Sequence, residues 1–382
     1  MKTNKFFFIS LILLSALLLT AYSPKTVNMV TMAASTPTPK PTPLPTPTKI
    51  PDVGPGGKIP LGIILPDSNS QISINAQKGL LKYLKSLGYS AQIAFSNNDT
   101  KKEITNLKGM IEKGIKVLIY CPVNSEKSAF VAEMAKKAGV QVIAYDRLVK
   151  YTDAVSYYVS FDNTKVGELQ GQYLVDHADG TGIPLFLFAG PSYDTNAFSF
   201  FKGAWKVLQP KIADGTFVIA NSSHATSFID KAELLPEDID SIFQQISFGN
   251  WNPEEARKMA KSQLKSIADD MKTNVFILAP IDVSARVISD VFRADKAVKS
   301  FLITGQDAES ASISYIRSGR QSMTVYKDPR IPPKKAVDAA LALLVGEKPE
   351  YTETIYNGKY EVPFLVSGIV VVDKSNVDTA IK

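Results

Sequence analysis

Cysteine is almost missing from this chain of 382 residues: Cys121 stands alone, which excludes any internal disulfide. Histidine is nearly as scarce, and His177 and His224 lack the spacing of a metal-binding pair. Charge of one sign is not in large excess. The formal net charge is +6, and Lys2, Lys5 and Lys25 lie in an N-terminal segment without acids, so the surplus elsewhere is too small to argue for a nucleic-acid partner. No phosphate-cradling G-x-x-x-x-G-K-[ST] loop occurs, so the chain is not an ATPase. We therefore expect no metal, no cofactor and no nucleic acid. Hydrophobic residues make up 45% and charged residues 21%, ordinary for a globular protein, and the length allows two domains.

At the N-terminus, Lys2 and Lys5 precede an apolar stretch over residues 6–21. A basic start followed by such a run is the pattern of an export signal, and it is short for a membrane span of about 20 residues. Leu19-Thr20-Ala21-Tyr22 resembles a bacterial lipoprotein cleavage box, but Tyr22 stands where the lipid-bearing cysteine would be, so acylation there is excluded. Residues 35–57 alternate threonine with proline, which favours an extended, semi-rigid spacer. These features predict a signal or anchor over residues 1–34, a linker over 35–57, and an exported protein at the extracytoplasmic face of the membrane or cell envelope.

From residue 58 onward, short apolar runs alternate with stretches of helical spacing. Four such repeats precede residue 150, and a second series follows from residue 185. This alternation predicts an α/β protein with two doubly wound parallel-sheet lobes joined by a hinge. The expected N-terminal lobe comprises residues 58–160 and 328–362, and the C-terminal lobe residues 161–327 and 363–382. In open parallel sheets, ligands collect beyond the carboxyl ends of strands. Val140 to Val149 ends at one such place with Asp146-Arg147. A carboxylate accepts two donors and a guanidinium presents a planar fork of them, a pair suited to neighbouring hydroxyls. By itself the pair reads more readily as one that caps and braces a loop. Other predicted strand ends carry Asn196, Asp282, Gln306, Asp307 and Lys327.

The motifs VIAYDRLV at 142–149, SYYVSFDNTKVGELQ at 156–170, GQDAE at 305–309 and MTVYKD at 323–328 occur in an order and spacing similar to that of the type I periplasmic sugar-binding proteins of bacterial ABC importers. The chain resembles in particular the D-xylose-binding and multiple-sugar-binding members. The resemblance implies a type I periplasmic binding protein fold, no enzymatic activity, and a monomer that passes a sugar to permease and ATPase subunits at the membrane. It implies ligand contacts at Asp146, Arg147, Asn196, Trp251, Asp282, Gln306, Asp307 and Lys327, and a hinge at Asp162 and Asn163. A pyranose has an apolar face that stacks on an indole and a rim of hydroxyls whose lost hydration must be replaced. An aldopyranose such as xylose or glucose is the expected ligand.

The chain also departs from the pattern. Gln71-Ile72-Ser73 replaces an Arg-aromatic pair of relatives, Ile281 replaces an asparagine, and extra length lies between Asn221 and Asn250. These changes keep a short β-linked oligosaccharide as an alternative ligand. Two alternative roles are a sugar-sensing domain for a signalling partner and a glycoside-processing enzyme using carboxylates among Asp146, Asp282 and Asp307.

Overall fold

A computed structural model describes residues 60–381. The expected export signal, Tyr22 and the expected Pro/Thr spacer lie outside the described residues. None of the described helices is long and apolar enough to cross a membrane.

The first half runs β1 (Leu61–Leu65), α1 (Gln71–Ser86), β2 (Gln92–Phe95), α2 (Thr100–Glu112), β3 (Val117–Tyr120), α3 (Ala129–Lys137), β4 (Gln141–Tyr145) and β5 (Val155–Phe161). Strands β1 and β3 are buried along their whole length, as parallel strands covered on both faces must be. Helices form where apolar residues recur at helical spacing. In α1, Ala76, Leu80 and Leu84 are buried in one stripe, and Ser70 caps the start by accepting the Ser73 amide at 3.3 Å. Helix α3 begins only at Ala129, because Asn124 and Ser128 hold residues 124–128 in turns through side-chain bonds to the backbone.

The chain continues with α4 (Asn163–Asp176), β6 (Ile183–Leu187), α5 (Thr195–Ala213), β7 (Phe217–Ile219), α6 (Ser223–Thr226), α7 (Pro236–Ile246), α8 (Pro253–Ser266), β8 (Asn274–Leu278), α9 (Asp282–Ala294), β9 (Ser300–Ile303), α10 (Ser310–Arg317) and β10 (Met323–Lys327). Last come α11 (Ile331–Leu344), β11 (Glu353–Tyr356), β12 (Glu361–Ser367) and β13 (Ile369–Asp373).

One seven-stranded sheet has the order β11-β12-β5-β4-β3-β1-β2, and a second has the order β7-β6-β8-β9. Strand β10 pairs antiparallel with β13 and joins the end of β9 through a bridge between Gln306 and Val325. The chain passes between the two halves three times: from β5 into α4, from β10 into α11, and from β12 into β13. The apolar run over residues 364–372 is divided between two strands, β12 and β13, with Gly368 between them. Because β12 pairs with β5 over Phe364 to Ser367, the last crossing lies at Gly368 and not at residue 362.

Helices α4 and α5 pack more closely than side chains ordinarily allow. A Cβ on Gly167 would overlap the Phe200 carbonyl, and one on Gly203 the Thr164 carbonyl. Gly167→Ala is expected to force the helices apart and cost about 1–3 kcal/mol or more. Thermal unfolding checks this, and an unchanged melting temperature would contradict it.

Candidate functional site

Strand β4 ends at Tyr145, and Asp146 turns the chain with φ +63°. The turn is held by three bonds to β5: the Asp146 amide donates to the Val159 carbonyl at 2.9 Å, and its own carbonyl accepts from Tyr158 Oη at 2.7 Å and Ser160 Oγ at 3.0 Å. A non-glycine residue in left-handed geometry stores strain, which the surrounding structure must hold. The Asp146 carboxyl is pushed up to about 6, first by burial and then by the charges of Asp194 and Asp307, with Arg147 and Lys327 pulling the other way. Cys121 Sγ lies 3.9 Å from Asp146 Oδ2. Its thiol is pushed well up, mainly by burial, so it stays protonated and is a poor nucleophile.

Arg147 reaches across to the second half of the molecule. Its Nη1 donates to the Pro122 and Val123 carbonyls at 3.2 and 3.4 Å, and its Nε stands 2.8 Å from Asp194 Oδ2. The Nε–H is not aligned for a straight hydrogen bond, so this contact is chiefly one of opposite charges. Burial opposes the Arg147 charge, but Asp194, Cys121 and Asp146 together raise its pKa. Asp194 also caps α5, accepting the Asn196 amide at 3.0 Å, and accepts Trp251 Nε1 at 3.0 Å. Beside it, the Ser125 and Thr195 hydroxyls meet at 3.1 Å.

Asp194 was not among the residues expected at the site. Its capping role was legible, since Asp-Thr-Asn opens a helical stretch. Its two charged and aromatic neighbours come from elsewhere in the chain. Trp251 does not begin a helix: it ends a short turn, Gly249–Trp251, with φ +52°, and Asn252 caps α8. Its indole packs on Gly190, where any Cβ would overlap the ring, and stands edge-on to Phe200 and Phe248. The extra stretch before it forms α6 and α7, whose Ile239, Ile242, Phe243 and Ile246 are buried in the core of the second half.

On the facing side, Asp307 has φ +95°, its amide bonded to the Val325 carbonyl at 2.9 Å. Its carboxylate pairs with Lys327 Nζ at 2.9 Å. The ammonium lies 5.5 Å from each of the Phe161 and Phe200 ring centroids, within reach of a cation–π attraction. Asp146, Asp307 and Lys327 line one cavity of about 760 Å³. Its remaining walls come from both halves, with Ile72 and Asn75 on α1, Phe161, Ser310 and Tyr326 among them.

Asp282 and Gln306 lie one layer behind this wall. Both are fully buried. Asp282 Oδ1 accepts Gln321 Nε2 at 2.7 Å, and Oδ2 accepts the Glu309 amide at 2.9 Å. Burial and then the Asp307 charge push Asp282 up to about 7, against those donors. The Asp282 amide donates to the Gln306 carbonyl at 3.0 Å. Asp282 thus braces the loop that carries Asp307. Asp282→Ala would strand two buried donors and is expected to cost about 2–4 kcal/mol. Denaturant unfolding measures this, and a variant as stable as the parent would contradict the bracing role.

Asn196 is also turned inward, its Oδ1 accepting Asn163 Nδ2 at 2.8 Å. Asp162 caps α4 by accepting the Lys165 amide at 2.8 Å. Asp162 and Asn163 therefore stand where the chain passes from β5 into α4.

Residues 61–348 match the family model described as a periplasmic binding protein domain. The multiple sugar-binding periplasmic receptor ChvE of Rhizobium radiobacter is 32% identical over 328 residues, covering 83% of this chain and 88% of that protein. The D-xylose-binding periplasmic protein of Escherichia coli is 31% identical over 303 residues, covering 79% of this chain and 83% of that protein. A carbohydrate transporter solute-binding protein from Chloroflexus aurantiacus, solved in complex with D-glucose, is 48% identical with a TM-score of 0.83, covering 85% of this chain and 95% of that one. A solute-binding protein of an ABC transporter from Clostridium phytofermentans, with bound β-D-glucose, has 28% identity and a TM-score of 0.73, covering 84% and 96%. Over most of its length, and through both halves of its fold, the chain belongs to the periplasmic binding protein domain family.

Proposed function

We propose that this protein captures an aldopyranose between its two lobes outside the cytoplasm and delivers it to a membrane importer. The observation that carries the reading is one cavity walled by both lobes, where Asp146 from the first faces Asp307 and Lys327 from the second. Arg147 and Trp251 meet at Asp194, a cluster that spans the lobes but lies outside the residues lining this cavity. Carboxylates accept from sugar hydroxyls and the ammonium donates to them. Bonds to one ring from both lobes form only when the lobes are together, so ligand affinity favours closure. Asp162-Asn163, the segment after Lys327, and Gly368 form the hinge. Relatives named for sugar binding, and neighbours solved with glucose, support the ligand class.

The protein acts as a monomer without chemistry of its own, partnered by permease and ATPase subunits and held at the outer face of the membrane through its N-terminal segment. Titration calorimetry with D-glucose, D-xylose and D-galactose tests the reading, with saturable one-to-one binding of at least one as the expected result. Release of nitrophenol from aryl glycosides would instead favour an enzyme.

A further inference from the structure

Asp194 makes three contacts with two oxygens. Oδ1 accepts the Asn196 amide and so holds the first turn of α5. Oδ2 is shared: Arg147 Nε lies 2.8 Å away from the first lobe, and Trp251 Nε1 donates to it at 3.0 Å within the second. The residue is 1% exposed. An ionised carboxylate so deeply buried needs a counter-charge, and among the described residues Arg147 is the cation paired with it. When the lobes separate, that cation is withdrawn, and the Asp194 carboxylate must turn toward water or lean harder on its remaining donors.

The Trp251 indole is otherwise held by shape alone. It rests on Gly190 and edges against Phe200 and Phe248, from a backbone in the left-handed region that disfavours a bulky residue. The bond to Asp194 is the indole's hydrogen bond to protein.

We propose that Asp194 is a positioning residue: it ties the arrival of Arg147 on lobe closure to the orientation of the Trp251 ring. Asp194 holds the indole through Nε1, and the guanidinium fixes that same carboxylate when the lobes meet. The affinity part of this inference rests on the sugar-binding reading above; the orientation part does not.

The test compares the parent with Asp194→Asn, which keeps an acceptor for the α5 cap but loses the charge that Arg147 needs. Asp99→Asn is the control, because Asp99 caps α2 by accepting the Lys101 amide at 2.8 Å and is not among the residues that line the cavity. The chain has two tryptophans, and Trp205 is buried in the core with its Nε1 bonded to the Lys231 carbonyl, so its emission stays constant. In the ligand-free protein, Asp194→Asn is expected to shift tryptophan emission to the red and increase its quenching by acrylamide, while Asp99→Asn changes neither. D-glucose is expected to dissociate about ten-fold faster from Asp194→Asn, and combining it with Trp251→Phe should cost less than the product of the two single losses. A purely capping role would lower the melting temperature without moving emission. Parent-like emission and quenching in Asp194→Asn would overturn the inference, and so would dissociation within about two-fold of the parent. If no sugar bound the parent protein, the sugar reading would fall, and the emission measurement would still decide the tie between Asp194 and Trp251.

Discussion

Arg147→Ala is expected to weaken sugar binding by at least about 30-fold. The substitution removes the guanidinium that spans the lobes and strands Asp194, whose carboxylate is almost wholly buried. Truncating one partner of a desolvated charge pair costs about 2–5 kcal/mol, roughly a 30-fold to several-thousand-fold loss of affinity. Part of that cost falls on the closed state even without a ligand, because the Arg147–Asp194 contact spans the lobes. Arg147→Lys should recover little. An ammonium keeps the charge but cannot serve the Pro122 and Val123 carbonyls and Asp194 together. A parent-like isotherm from Arg147→Ala would remove this residue from the site.

Acidification is expected to weaken binding about ten-fold between pH 7 and pH 5. In the ligand-free protein the Asp146 carboxyl is held up at about 6, first by burial. A sugar hydroxyl that donates to this group binds its charged form. Binding must then expel the proton wherever the free protein holds one, and for a group at about 6 the penalty is about ten-fold at pH 5 and negligible at pH 7. At pH 6, calorimetry in buffers of different ionisation enthalpy should show release of about half a proton per sugar bound. Asp146→Asn should flatten the profile.

Ligand-free stability moves with pH as well. Asp146 and Asp282 start from an ordinary value of 3.8 and are raised to about 6 and about 7, so between those limits the folded chain keeps protons that the unfolded chain has lost. Their contribution to stability is therefore greatest at low pH and declines as pH rises through that window. Over this range, affinity climbs while this part of the stability falls. Affinity independent of pH from 5 to 7 would contradict the assignment of Asp146 as an acceptor.

Much of the scaffold was legible because strands buried on both faces must be apolar throughout. Leu61–Leu65 and Val117–Tyr120 are uninterrupted apolar runs, and the sheet uses them as expected. The crossing at Gly368 was not legible, because Phe364 and the valines after it have equal strand propensity on either side of it. Only pairing with β5 and with β10 separates the two strands. In the candidate site, polar residues at strand ends lie along one edge of each sheet, and local sequence does not give the layer each occupies. Asp307 and Lys327 reach the cavity, whereas Asp282 and Gln306 support the loop behind it. The difference rests on Gln321, whose amide takes one oxygen of Asp282, and nothing in local sequence forecasts that bond. Asp194 escaped notice for a similar reason: a capping aspartate has the same sequence signature whether or not an arginine from another lobe seeks it out.

Determining the structure of the protein with D-glucose bound would bear most directly on where the guest sits. The account predicts one pyranose in the cavity between the lobes, its hydroxyls within hydrogen-bond distance of the Asp146 carboxylate and Lys327 Nζ, with groups from both lobes touching the same ring. A sugar seated elsewhere, or held by one lobe alone with Asp146 and Lys327 facing solvent, would contradict it.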